Sequence, residues 1–252
     1  MNFKLEGTRR NFLQMSIAGG ALLIFNGCRR EQAQKATEHS AKESSKPGTS
    51  EKGGEVTATE DLMREHGVLR RALLVYSEAA AKLRTNPSAV SAESLLKTAK
   101  LFRAFGEEYH ERKLEEAYIF PAVKKAGGPA AAYPDILLAQ HSRGREITDY
   151  ILGVTKEVKL GSAAEQLAVA LDALVRMYRA HASREDTVVF PAWKQTLTGD
   201  QLDEMNDKFE DIEHEQFGAD GFEDAVKQIS EIEAELGLAD LGNFTATAPS
   251  GR

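Results

Sequence analysis

Two stretches of this sequence repeat one another, and they constrain the fold more than any other feature. The first reads Tyr109-His110-Glu111-Arg112-Lys113-Leu114-Glu115-Glu116-Ala117-Tyr118-Ile119-Phe120-Pro121. The second reads His181-Ala182-Ser183-Arg184-Glu185-Asp186-Thr187-Val188-Val189-Phe190-Pro191. Each sets a histidine a little over one helical turn before a glutamate and closes on apolar residues and Phe-Pro. Each also follows a helical segment with a histidine of its own, His66 in one case and His141 in the other. The two prolines are 70 residues apart and the leading histidines 75 apart, so the chain from Thr57 on reads as two copies of one two-helix unit. Short connections favour antiparallel neighbours. The expected fold is all-α: an up-down-up-down four-helix bundle with a pseudo-twofold axis, followed by additional C-terminal helices.

From Thr57 onward apolar residues recur at helical spacing, with no alternating run of β-branched residues. Thr57 and Glu60 form a capping-box start for a first helix reaching about Arg84, with Leu62, His66, Leu69, Leu73 and Tyr76 along its inner stripe. A second helix is expected over 92–125, aligning Leu95, Ala99, Phe102, Gly106 and His110, and Gly127-Gly128-Pro129 ends it. A third over 134–158 aligns Leu137, His141, Gly144, Thr148 and Ile151. The fourth begins at Gly161-Ser162 and aligns Leu167, Leu171, Leu174, Tyr178, His181, Glu185, Val188 and Ala192. A fifth helix carries Leu202, Met205, Phe209 and Ile212, and a shorter sixth spans about 222–236.

Four histidines therefore stand in the core stripes of four different helices. A buried imidazole needs partners for both nitrogens, and a buried carboxylate is costly unless a cation or donors compensate it. Glu185 has no Lys or Arg on its own face, so a metal ion is the simplest compensation. Inward residues at one level of a bundle meet near its axis, within reach of a pair of ions. The single cysteine, Cys28, excludes a thiolate-rich site and an internal disulfide. Imidazole and carboxylate ligation suits iron, manganese or zinc. The net charge of −7 gives no electrostatic ground for binding nucleic acid or an anionic membrane surface.

On these residues, the region from about Thr59 to Phe217 resembles bacterial hemerythrin-like (HHE cation-binding) proteins. The resemblance implies two non-haem iron ions in a carboxylate-bridged centre, with His66, His110, His141, His181 and Glu185 as ligands. Two positions depart from the family pattern. The residue four after His110 is Leu114, and the carboxylate comes one later, at Glu115. In a regular helix that fifth position lies about 100° farther round than the fourth. The stripe resumes as Glu115, Ile119 and Ala122, as a single-turn π-bulge would allow. Glu115 is the expected bridge, with Glu111 the competing ligand. The second departure is Arg145, one turn after His141, where oxygen-storing members carry another histidine. His214 on the fifth helix is the candidate to fill that gap, although it lies off the apolar stripe and also fits a surface role. Tyr178 is expected to line the ligand pocket. Glu65 either faces solvent or orients a ring.

The function so implied is binding or sensing of a small diatomic ligand, O2 or NO, with an unidentified redox partner. A di-iron oxidoreductase, peroxidase-like or NO-reducing, is the alternative, and a metal-free tethered helical adaptor a further one. A mononuclear zinc hydrolase is disfavoured, because nothing resembles a general base.

Ahead of the bundle, Thr8-Arg9-Arg10-Asn11-Phe12-Leu13 precedes an apolar run from Met15 to Phe25 that is too short to span a bilayer. This resembles a twin-arginine export signal. Asn26-Gly27-Cys28 resembles a lipoprotein cleavage site, so residues 1–28 are expected to direct export to the periplasm or to a lipid anchor at Cys28. Residues 29–56 read as a disordered polar tether containing a solvated His39, residues 57–217 as the bundle with its fifth helix, and 218–252 as a short helix and tail.

Overall fold

The computed structural model describes residues 56–156, 160–218 and 220–249; the segments expected to be an export signal and a tether, with Cys28 and His39, lie outside the described residues. Among the described residues all regular structure is helical. Helix α1 (Ala58–Thr85) starts at Thr57, whose hydroxyl accepts the Glu60 N–H at 3.3 Å. The second long helix is continuous from α2 (Ala92–Leu101) through a π-helical segment (Phe102–Ile119) into α3 (Phe120–Ala126). It stops at Gly127 and Gly128, whose positive φ of 75° and 74° side chains rarely adopt. Helix α4 covers Pro134–Val154. Helix α5 (Ala164–Arg184) passes through a π turn (Glu185–Val189) into α6 (Phe190–Lys194). Helices α7 (Gly199–Phe217) and α8 (Gly221–Leu236) follow, and the reciprocal capping box occurs on α7, between Thr198 and Gln201.

Contacts between the helices give the directions. Along α1, Glu65 meets His110 and Tyr76 meets Phe102, so the second helix runs back down the first. Arg103 reaches Asp149 at 2.6 Å while Lys124 reaches Asp135 at 2.6 Å, so α4 is antiparallel to the second helix. His141 touches His181, and Arg84 near the end of α1 pairs with Asp172 at 2.7 Å while His66 meets Asp186. This is the expected up-down-up-down arrangement. Helices α7 and α8 pack against one side, where Phe217 covers Phe105 and Tyr109 and Arg71 of α1 binds Glu233.

The inner stripes are buried as far as the two glutamates, and beyond them the register slips. Ala122 is only half-buried and Val123 takes the interior. Likewise Val188 and Ala192 are half-buried, while Val189, Phe190 and Trp193 are buried. The cause is the same in both copies. The N–H of Phe120 donates to the carbonyl five residues back, at Glu115, and the N–H of Phe190 donates to that of Glu185. The following proline has no N–H to restore the α pattern. A wider turn accommodates one extra residue, so the inward face moves on by one position. The expected bulge was a single turn in the first copy. The π winding instead runs for 18 residues there and recurs for 5 residues in the second copy.

Candidate metal centre

Six side chains from the four long helices converge at one level, all buried: His66, His110, Glu115, His141, His181 and Glu185. In the first copy His110 and Glu115 both lie in the π segment, where residues five apart take up the relation that residues four apart have in an α-helix. His181 and Glu185 keep the spacing of four because the π turn begins only at Glu185. The rings form two pairs, His66 with His110 at 4.7 Å between centroids and His141 with His181 at 4.8 Å. Glu115 places one oxygen 3.3 Å from Nε2 of His110 and the other 3.4 Å from Nε2 of His141. Glu185 places one oxygen 3.5 Å from Nε2 of His66 and the other 3.0 Å from Nε2 of His181. Each carboxylate thus spans both pairs.

The opposite nitrogen of every ring is anchored. Nδ1 of His66 donates to Asp186 at 2.7 Å, that of His110 to Glu65 at 2.6 Å, that of His141 to Glu116 at 2.9 Å and that of His181 to the Gln140 side-chain oxygen at 2.9 Å. Ionised carboxylates and amide oxygens only accept, so each ring commits an Nδ1 proton to its anchor, and the nitrogen left to bind a cation is Nε2, which faces the centre. That is the arrangement metal-bound histidines show.

Whether these residues fit a cation is decided by what their remaining atoms lack. Both oxygens of Glu115, both of Glu185 and Nε2 of His110 are fully buried with no hydrogen-bond partner. Two bare carboxylates in a dry core are prohibitively expensive without positive charge. The local field favours that charge. Burial pushes the His141 pKa down, but Glu111, Glu115 and Glu116 outweigh it and lift the value to about 10. Burial would likewise raise Glu115, yet His110 and His141 hold it well below the ordinary carboxylate range. The donors therefore fit a bound metal cation.

The other residues singled out in the sequence lie around this cluster. Glu111 is buried one turn from Glu115, and its oxygens accept from Tyr178 at 2.6 Å and from Arg145 at 3.0 Å. It approaches His141 together with Glu116, and the Arg145 guanidinium binds both carboxylates. Arg145 thus braces the carboxylate that orients His141. Tyr178 lines a small pocket beside the donors, together with Leu69, Leu73 and Ala182, and Arg70 stands among the same lining residues. His214 is exposed on α7 and belongs to none of the groups of converging donors. Glu65 is buried and orients His110.

A four-helix bundle closed around buried histidines and carboxylates defines a metal-binding protein. A model of the hemerythrin HHE cation binding domain matches residues 57–193, and the chain belongs to that family. Uncharacterised proteins of Mycobacterium bovis and Mycobacterium tuberculosis are 37% identical to it over 240 residues, covering 94% of this chain and 90% of theirs. No solved structure matches the chain.

Sequence reasoning missed Asp186, Glu116 and Gln140 as ring anchors, and missed Arg70. Their signal is adjacency: Glu116 and Asp186 each follow one of the two central glutamates, while Glu65 and Gln140 each precede a leading histidine.

Proposed function

We propose that this protein is an exported, non-haem di-iron protein that binds or senses O2 or NO. The observation that carries the two-ion reading is the pair of partnerless carboxylates, each reaching toward both histidine pairs. Two redox-active ions would supply the electrons and an open coordination position for the small ligand. The protein's own residues do the rest. Asp186, Glu65, Glu116 and Gln140 hold the rings, and Leu69, Leu73 and Ala182 give the pocket apolar walls suited to an uncharged diatomic molecule. Export by the twin-arginine route, with Cys28 as a lipid anchor, rests on Arg9-Arg10 and on Gly27-Cys28. No helix among the described residues is long and apolar enough to cross a membrane.

The test is metal analysis joined to optical spectra of the reduced protein before and after O2 or NO. Two irons per chain and a ligand-dependent absorption band are expected. A protein purified without stoichiometric metal and equally stable without it would instead be a helical adaptor. One observation favours the oxidoreductase reading: the Tyr178 phenol at the pocket wall, with Glu111 as its proton acceptor. Steady turnover of hydrogen peroxide or NO with a reductant would establish it.

A further inference from the structure

The pseudo-twofold relates more than the donors. His66 corresponds to His141, His110 to His181 and Glu115 to Glu185. The ring anchors cross between the halves in the same way, since Asp186 of the second copy holds His66 of the first and Glu116 of the first holds His141 of the second. Even the cations on those anchors match, because Arg70 binds Asp186 and Arg145 binds Glu116, each one turn after its leading histidine. Among the ring anchors, one pair differs in charge. The residue before the leading histidine is Glu65 in the first copy and Gln140 in the second.

The surroundings of this pair differ as well. Glu65 is buried, and its second oxygen accepts the Tyr109 hydroxyl at 3.0 Å. Tyr109 in turn lies edge-on under Phe217 at the end of α7, 5.3 Å between centroids. Gln140 is half-exposed, and Ala180, which stands where Tyr109 stands in the first copy, is exposed. Helix α7 thus covers the anchor on one side of the centre, whereas the matching anchor on the other side reaches the surface.

A carboxylate pulls on the Nδ1 proton of its histidine harder than a neutral amide does, which makes Nε2 a stronger donor. Asp186 and Glu116 are both carboxylates bound by an arginine, and Glu111, which has Ala182 at its matching position, is held by Arg145 and Tyr178, so among the ring anchors the Glu65–Gln140 pair is the one that differs in charge. We propose that Glu65 and Gln140 make the two metal positions unequal: the position between His66 and His110 holds its ion more tightly, and the His141–His181 position loads last and releases first. This rests on the two-ion reading above.

The experiment is a competitive chelator titration of the full chain with ferrous ion under anaerobic conditions, repeated with cobalt(II). The wild type is expected to bind two ions per chain with separated affinities. Glu65→Gln should weaken the tighter step about 10–100-fold. Gln140→Glu should strengthen the weaker step by a comparable factor, bringing the two together. A gain of affinity at a half-exposed position is a readout that a merely structural role would not move, and it stands even if Glu65→Gln fails to fold. Two equal wild-type affinities, or an unchanged weaker step in Gln140→Glu, overturn the proposal while leaving the dinuclear reading intact. Saturation below two ions per chain overturns both.

Discussion

The hydroxyl of Tyr178 fills the space in which a side chain at position 144 would begin: a β-carbon on Gly144 would fall 2.1 Å from that oxygen. Glycine at this point of α4 lets the phenol reach Glu111 at 2.6 Å. Gly144→Ala is therefore expected to displace Tyr178 and to destabilise the fold by about 1–3 kcal/mol despite the better helix propensity of alanine. Urea unfolding checks this. In a Tyr178→Phe background the penalty should shrink, and an equal loss in both backgrounds would show that the hydroxyl is not the obstacle.

Glu115 and Glu111 are separated by one helical turn but by very different partners. Glu115→Gln and Glu185→Ala are each expected to lose at least one metal ion per chain, measured by elemental analysis. Glu111→Gln should keep both ions, because its oxygens already serve Tyr178 and Arg145. Full retention in Glu185→Ala would remove the bridge from the centre.

Glu107 gives the protein a pH dependence away from the metal. Burial raises its pKa from 4.5 to about 7, partly opposed by the Thr148 hydroxyl and Arg103 and reinforced by Glu111. A carboxyl with a raised folded pKa binds its proton more tightly folded than unfolded. Its stabilisation is complete below pH 4.5 and is lost as the pH rises through about 7. Glu107→Gln should flatten that decline and exceed the wild type above pH 7 by up to about 3 kcal/mol. Unfolding at a series of pH values tests the sign, and a less stable variant at high pH would refute it.

Metal should be a stabiliser as well as a functional group, since it compensates four buried carboxylate oxygens that have no hydrogen-bond partner. Ferrous ion at about 100 times its dissociation constant should add about 2.7 kcal/mol per site. The melting temperature of chelator-stripped protein should rise accordingly on reloading, and by less in Glu115→Gln.

Much of this was legible before any coordinates. The stripe of α5 from Leu167 to Glu185 is buried as its spacing required, and the four histidines meet as expected from four helices of one bundle. Reading failed just beyond the glutamates. The 3.6-residue period placed Val188 and Ala192 inside, whereas the π turn turned Val189 and Trp193 inward. Proline at 121 and 191 marked the places, but a missing N–H does not say which carbonyl the preceding amide will choose.

The sequence alone determined the helices, the duplication and the donor types, because periodicity and residue chemistry are local properties of the chain. Only the tertiary structure decided which carboxylate stands among the donors and which binds Tyr178, and that Glu65 serves His110 rather than its neighbour His66. Those choices depend on how four rods are rotated and staggered against one another. A shift of one residue, as in the π segment, exchanges a ligand for a bystander.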